Sequence, residues 1–85
     1  MGRMVRIDGE RLRFELARRG LDQAGLARLA QLRPETISRA VTGHPVSHST
    51  LSAIAKVLLE VAPNQGVDLI LATPEKAERP SDDPA

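Results

Sequence analysis

Cysteine, tryptophan and tyrosine are missing from this sequence, and Phe14 is its one aromatic residue. Without cysteine there is neither a disulfide framework nor a thiolate metal site. Without aromatics the core must be aliphatic. The 41% hydrophobic content of 85 residues supplies one such core, in a domain small enough to bury only about 60% of its unfolded surface. No apolar run approaches the ~20 residues that cross a bilayer, and no signal-peptide h-region follows the N-terminus. A cytoplasmic protein of bacterial or phage origin is expected. There is no glycine-rich phosphate loop, and no motif context groups Ser, His and Asp for nucleophilic catalysis. Neither an enzyme nor a cofactor is expected. His44 and His48 have the spacing of a helical metal pair, but Pro45 and Val46 lie between them and no third ligand is at hand, so no metal is expected.

The net charge of +1 hides an asymmetry. Residues 1–43 hold nine arginines against five acids, a net +4, whereas residues 44–85 hold three bases against six acids, a net −3. A basic half points to a polyanion-facing side, although a merely solvated surface accounts for the charge equally well.

Four helix starts share one device, an apolar residue before the cap and another four residues after it, as in a hydrophobic staple. The sets are Ile7, Asp8 and Leu12; Leu21, Asp22 and Leu26; Leu32, Arg33 and Ile37; and Val46, Ser47 and Leu51. They predict helices over 9–19, 23–30, 34–41 and 48–60. Gly20 and Gly43 stand where helices close in a left-handed residue, and Pro34 suits a first helical position. The third start departs from the others, with Arg33 standing where they have Asp or Ser. A cation at the positive end of a helix is unfavourable.

The last predicted helix has an inward stripe of Leu51, Ile54, Ala55 and Leu58. After Pro63, "GVDLILA" alternates like a strand, as does "MVRI" near the N-terminus, and the two are expected to pair as an antiparallel ribbon over the helices. Phe14 is expected in the core beneath it. Residues 1–72 thus form one domain. From Thr73 onward "TPEKAERPSDDPA" is proline-rich and charged, and is expected to be a disordered tail.

Two helices joined by the short connector "QLR", the second with a polar outer face, form a helix-turn-helix arrangement. The stretch "LDQAGLARLAQLRPETISRAVTG", residues 21–43, resembles the Cro/repressor-type, XRE-like helix-turn-helix transcriptional regulators. It carries their Gln (Gln23), Leu-Ala (Leu26, Ala27), small residue (Ala30), Ile-Ser (Ile37, Ser38) and closing Gly (Gly43). The continuation "VSHSTLSAIAKVL" looks like the family's fourth helix, and the likeness covers about residues 7–60. Three features depart from the pattern: Gln31 holds a turn position usually given to Gly, Arg33 replaces a Ser or Thr cap, and "GVDLILA" replaces a short terminal helix.

The resemblance implies a mainly α, phage-repressor-like domain of four to five helices. It also implies a nucleoid-associated transcriptional regulator, expected to be a repressor, that binds double-stranded DNA as a homodimer on a pseudo-palindromic operator. Gln23 at the start of the second helix is then expected on a phosphate. Pro34, Glu35, Thr36, Ser38 and Arg39 are expected nearest the base edges, with Thr42 and the following loop, including His44, on the backbone.

The residues themselves bear on these roles. Arg39 is the outward side chain suited to a bidentate guanine contact. Glu35 either accepts from a cytosine amino group or merely favours the helix N-terminus. Arg33 leaves its helix uncapped, and the cation, dipole and free N–H groups together suit a phosphate; alternatively Arg33 extends into water. Arg28 reaches a phosphate or is only exposed, and compensation of the helix dipole accounts for Arg18 and Arg19. Val57, Val61 and Ile70 are apolar surplus, available either for a dimer contact or for the chain's own core. A second reading is a helix-turn-helix module docking a protein partner such as a toxin. The polar outer face of the third helix favours DNA.

Overall fold

The computed structural model describes residues 4–73. In chain order these form β1 (Met4–Val5), α1 (Gly9–Arg18), α2 (Gln23–Ala30), α3 (Pro34–Val41), β2 (Val46–Ser47), α4 (His48–Glu60) and α5 (Gln65–Ile70). The chain is mainly helical with one two-stranded antiparallel ribbon, as expected. The first four helices begin where the caps predicted. Asp8, Asp22 and Ser47 sit in extended backbone and accept the N–H groups of Arg11 (3.1 Å), Gly25 (2.7 Å) and Thr50 (3.1 Å). Each satisfies one of the orphan donors of a helix start.

Three helices close with the same device. The N–H of Leu21 reaches Leu16 O (2.9 Å), that of Leu32 reaches Ala27 O (2.9 Å), and that of His44 reaches Arg39 O (3.0 Å). Each follows a left-handed residue, namely Gly20, Gln31 and Gly43. These are Schellman closures. The connectors "GLD" and "QLR" therefore have one geometry: a left-handed residue, a half-buried leucine packed on the core, and an extended cap.

The core is aliphatic. Leu12 and Leu16 of α1, Leu26 and Ala27 of α2, Ile37, Ala40 and Val41 of α3, Val46, and Ile54 and Val57 of α4 form a single buried cluster. The small residues of α2 let α3 and α4 pack on it. Gly9 permits a further close approach. A Cβ built there would clash with the carbonyl oxygen of Val41, so the first turn of α1 rests against the last turn of α3.

Four expectations are corrected. The ribbon pairs Met4 with Ser47 and Val5 with Val46, not the two terminal segments. "GVDLILA" instead contains α5, because Asn64 caps it, accepting the Val67 N–H at 3.0 Å, while Asp68 lies in the favourable first turn. Over so short a run, a cap outweighs period-two alternation. Phe14 is half-buried outside the core cluster, with the Arg18 guanidinium 5.7 Å from its ring centroid. Finally, α4 is rotated about its axis, burying Thr50, Ile54 and Val57 rather than Leu51, Ala55 and Leu58. It turns this face toward α2, and Thr50 is tolerated inside because its hydroxyl meets Ser47 Oγ at 3.1 Å. Val57, 3% exposed, thus belongs to the core and is not a dimer contact, and Val61 packs half-buried against that core. The tail expected to be disordered lies, from Pro74 on, outside the described residues.

Candidate nucleic-acid interface

α3 owes its orientation to its buried face. Ile37, Ala40 and Val41 are sealed in the core, which turns Pro34, Glu35, Ser38 and Arg39 outward and exposes all four; Thr36 is half-buried on the flank. Glu35 and Arg39 stand four residues apart, a spacing at which opposite charges commonly pair on a helix. No ion pair joins them, and Arg28, Arg33 and Arg39 join none among the described residues. The face therefore presents uncommitted donors and acceptors. Gln23, the first residue of α2, is exposed, as is Arg28 further along that helix.

The start of α3 differs from its counterpart at Asp22. Arg33 sits in extended backbone (φ −77°, ψ 147°) and offers no side-chain cap. Pro34 has no N–H, and the N–H groups of Thr36 (3.0 Å) and Ile37 (3.3 Å) are both taken by Arg33 O. Within the helix itself, one first-turn donor is left without an acceptor among the described residues, the N–H of Glu35. The site is thus narrower than a row of free amides: one N–H, the helix dipole and one guanidinium.

At the other end, Thr42 Oγ1 lies 2.9 Å from Ser38 O, 3.3 Å from Arg39 O and 3.0 Å from His44 Nδ1. A hydroxyl has one proton. Donated to a carbonyl, it leaves Oγ1 an acceptor for Nδ1–H of His44, and Thr42 then anchors the exposed imidazole instead of donating outward itself.

Sequence reasoning overlooked two positioning residues. Gly9 fixes α1 against α3, and its signal was a glycine in the first turn of a helix, where glycine is otherwise unfavourable. Arg19, read only as balancing a dipole, donates Nε to Val61 O (2.8 Å) and Nη2 to Leu58 O (3.1 Å), and pairs with Glu15 at 2.7 Å. It caps the C-terminal end of α4 from α1. Arg18 bonds Asp68 of α5 at 2.8 Å, and this hydrogen bond raises the guanidinium's already high pKa. Among the described residues, no three metal-ligating side chains come together and no helix is long and apolar enough to cross a membrane.

The chain matches no family model, no curated protein and no solved structure.

Proposed function

We propose that this chain is a sequence-specific double-stranded DNA-binding regulator of the XRE-like type, acting as a homodimer with α3 in the major groove. The observation that carries this reading is the outer face of α3. A helix sealed on one side by Ile37, Ala40 and Val41 turns unpaired Glu35, Ser38 and Arg39 to solvent, beside a helix start that has a cation and a free N–H in place of a cap. A face meant for a protein partner is better served by apolar anchors. In this reading Arg39 contacts a guanine edge, and Arg33, Arg28, Gln23 and His44 contact phosphates. Thr42 holds the His44 ring. Two half-sites about 34 Å apart supply the affinity that one short helix lacks. The setting that fits is the cytoplasm, on the nucleoid.

The test uses the internal contrast between Asp22 and Arg33. Arg33→Ser installs a cap and is expected to stabilise the fold by about 1 kcal/mol. It is also expected to weaken binding to a duplex selected from a random library and to flatten the dependence of log K on log salt by about one phosphate's share. Wild-type affinity at the same salt in this variant would remove Arg33 from the interface. Equal affinity of wild type and Arg39→Ala for selected and random duplex would sink the reading as a whole.

A further inference from the structure

Along α4, Leu51, Ala55 and Leu58 line up as an apolar stripe that the fold covers only in part, leaving Leu51 and Leu58 half-buried and Ala55 exposed. The reason is an open groove between this side of α4 and the segment from Arg6 to Glu15. Its volume is about 450 Å³, within the range of roughly 300–1,000 Å³ typical of small-molecule sites. We propose that this groove binds a small amphipathic organic anion, its apolar body on Ile7, Leu51, Ala55 and Leu58 and its acid group on Arg6 and Arg11. This goes beyond DNA recognition and does not depend on it.

The sign of the ligand follows from which rim charges are already engaged. Four ionisable residues border the groove: Arg6, Asp8, Arg11 and Glu15. Asp8 spends a carboxylate oxygen on the Arg11 N–H as the cap of α1. Glu15 is held by Arg18 at 3.1 Å and Arg19 at 2.7 Å. The Arg6 and Arg11 side chains, both exposed, make no ion pair or hydrogen bond among the described residues. The rim therefore offers two open guanidiniums, groups that bind a carboxylate through paired N–H bonds.

The walls are held before any ligand arrives. At one end Arg19 ties α1 to the last carbonyls of α4. At the other the first turn of α1 is fixed by the contact of Gly9 with Val41. A preformed site loses little affinity to reorganisation.

The test is titration of the full chain, without DNA, with octanoate, following melting temperature and calorimetric heat, with octylammonium as the opposite-charge control. Octanoate is expected to bind saturably and raise the melting temperature, and octylammonium is expected to bind at least about tenfold more weakly. Arg11→Gln should weaken octanoate by about tenfold or more. Ala55→Asp, at an exposed position, should do the same while keeping the helical circular dichroism of wild type. Octylammonium binding as tightly as octanoate would overturn the proposal. So would folded Ala55→Asp or Arg11→Gln binding octanoate like wild type, or no saturable binding below the micellar concentration. A failure of DNA binding, measured separately, leaves these outcomes unchanged.

Discussion

At the scale of single residues, the two connectors serve as an internal comparison. "GLD" and "QLR" trace the same path, but the second places an L-residue with a side chain, Gln31, at φ 59°, the one non-glycine positive φ among the described residues. A left-handed L-residue costs about 1–2 kcal/mol, offset by the roughly 0.5–1 kcal/mol by which glycine disfavours a fixed backbone. Gln31→Gly is therefore expected to stabilise the chain by about 0.5–1 kcal/mol, read from the urea midpoint at constant slope. A lower midpoint would mean that the Gln31 side chain contributes a favourable interaction outweighing its backbone strain. Arg33 adds a second unfavourable choice two residues later. Both lie beside α3, whereas the equivalent positions in the first connector, Gly20 and Asp22, obey the local rules. Local rules are thus broken at one connector and kept at its twin, which is the pattern the proposed DNA-binding role of α3 calls for.

At the scale of elements, what was legible in the sequence was whatever depends on a few neighbouring residues. Asp8, Asp22, Ser47 and the left-handed Gly20 and Gly43 placed four helices within a residue of their ends, because caps and closures are local chemistry. The candidate site was legible for the same reason, since α3 carries its polar and apolar faces within eight residues. The long-range choices were not. The apolar spacing of α4 fits two adjacent stripes, and only contact with α2 selects the one through Val57. The partner of β1 is decided by where Val46 arrives after α3, not by alternation in either segment. Arg19 shows the same limit, because the two acceptors on and after α4 lie 39 and 42 residues away. Its side chain is only 10% exposed, so replacing it takes a donor from the Leu58 and Val61 carbonyls and leaves Glu15 with Arg18 alone. Arg19→Met keeps the apolar stem and removes the donors. We predict a loss of about 1–3 kcal/mol in thermal or urea unfolding, together with faster amide exchange at the end of α4. Unchanged stability would show that water replaces the guanidinium at no cost.

At the scale of the whole molecule, the arginines divide into those the fold uses and those it leaves open. Arg18 and Arg19 hold α5 and α4 to α1. Arg28, Arg33 and Arg39 are exposed on α2, its connector and α3 and join no ion pair among the described residues. The opposite imbalance appears at the end of the described chain. α5 has no buried residue, is attached through Arg18–Asp68 and through Asn64 N–H to Arg18 O at 2.7 Å, and exposes Leu69 by 84% and Ile70 by 87%. Large aliphatic side chains at such exposure weaken no fold when made polar. They matter only if something covers them. With Val57 assigned to the core, Ile70 is the candidate dimer contact left fully accessible, and Leu69 joins it. Ile70→Glu should then leave the melting temperature of the dilute protein unchanged. It should shift the protein from dimer toward monomer in light scattering, and weaken binding to a two-half-site duplex far more than to a single half-site, since the covalent link between half-sites rewards only a linked pair of readers. A wild-type chain that stays monomeric at high concentration would remove α5 as the contact. The two α3 helices would then have to be paired by the DNA itself, with equal losses for Ile70→Glu on both duplexes.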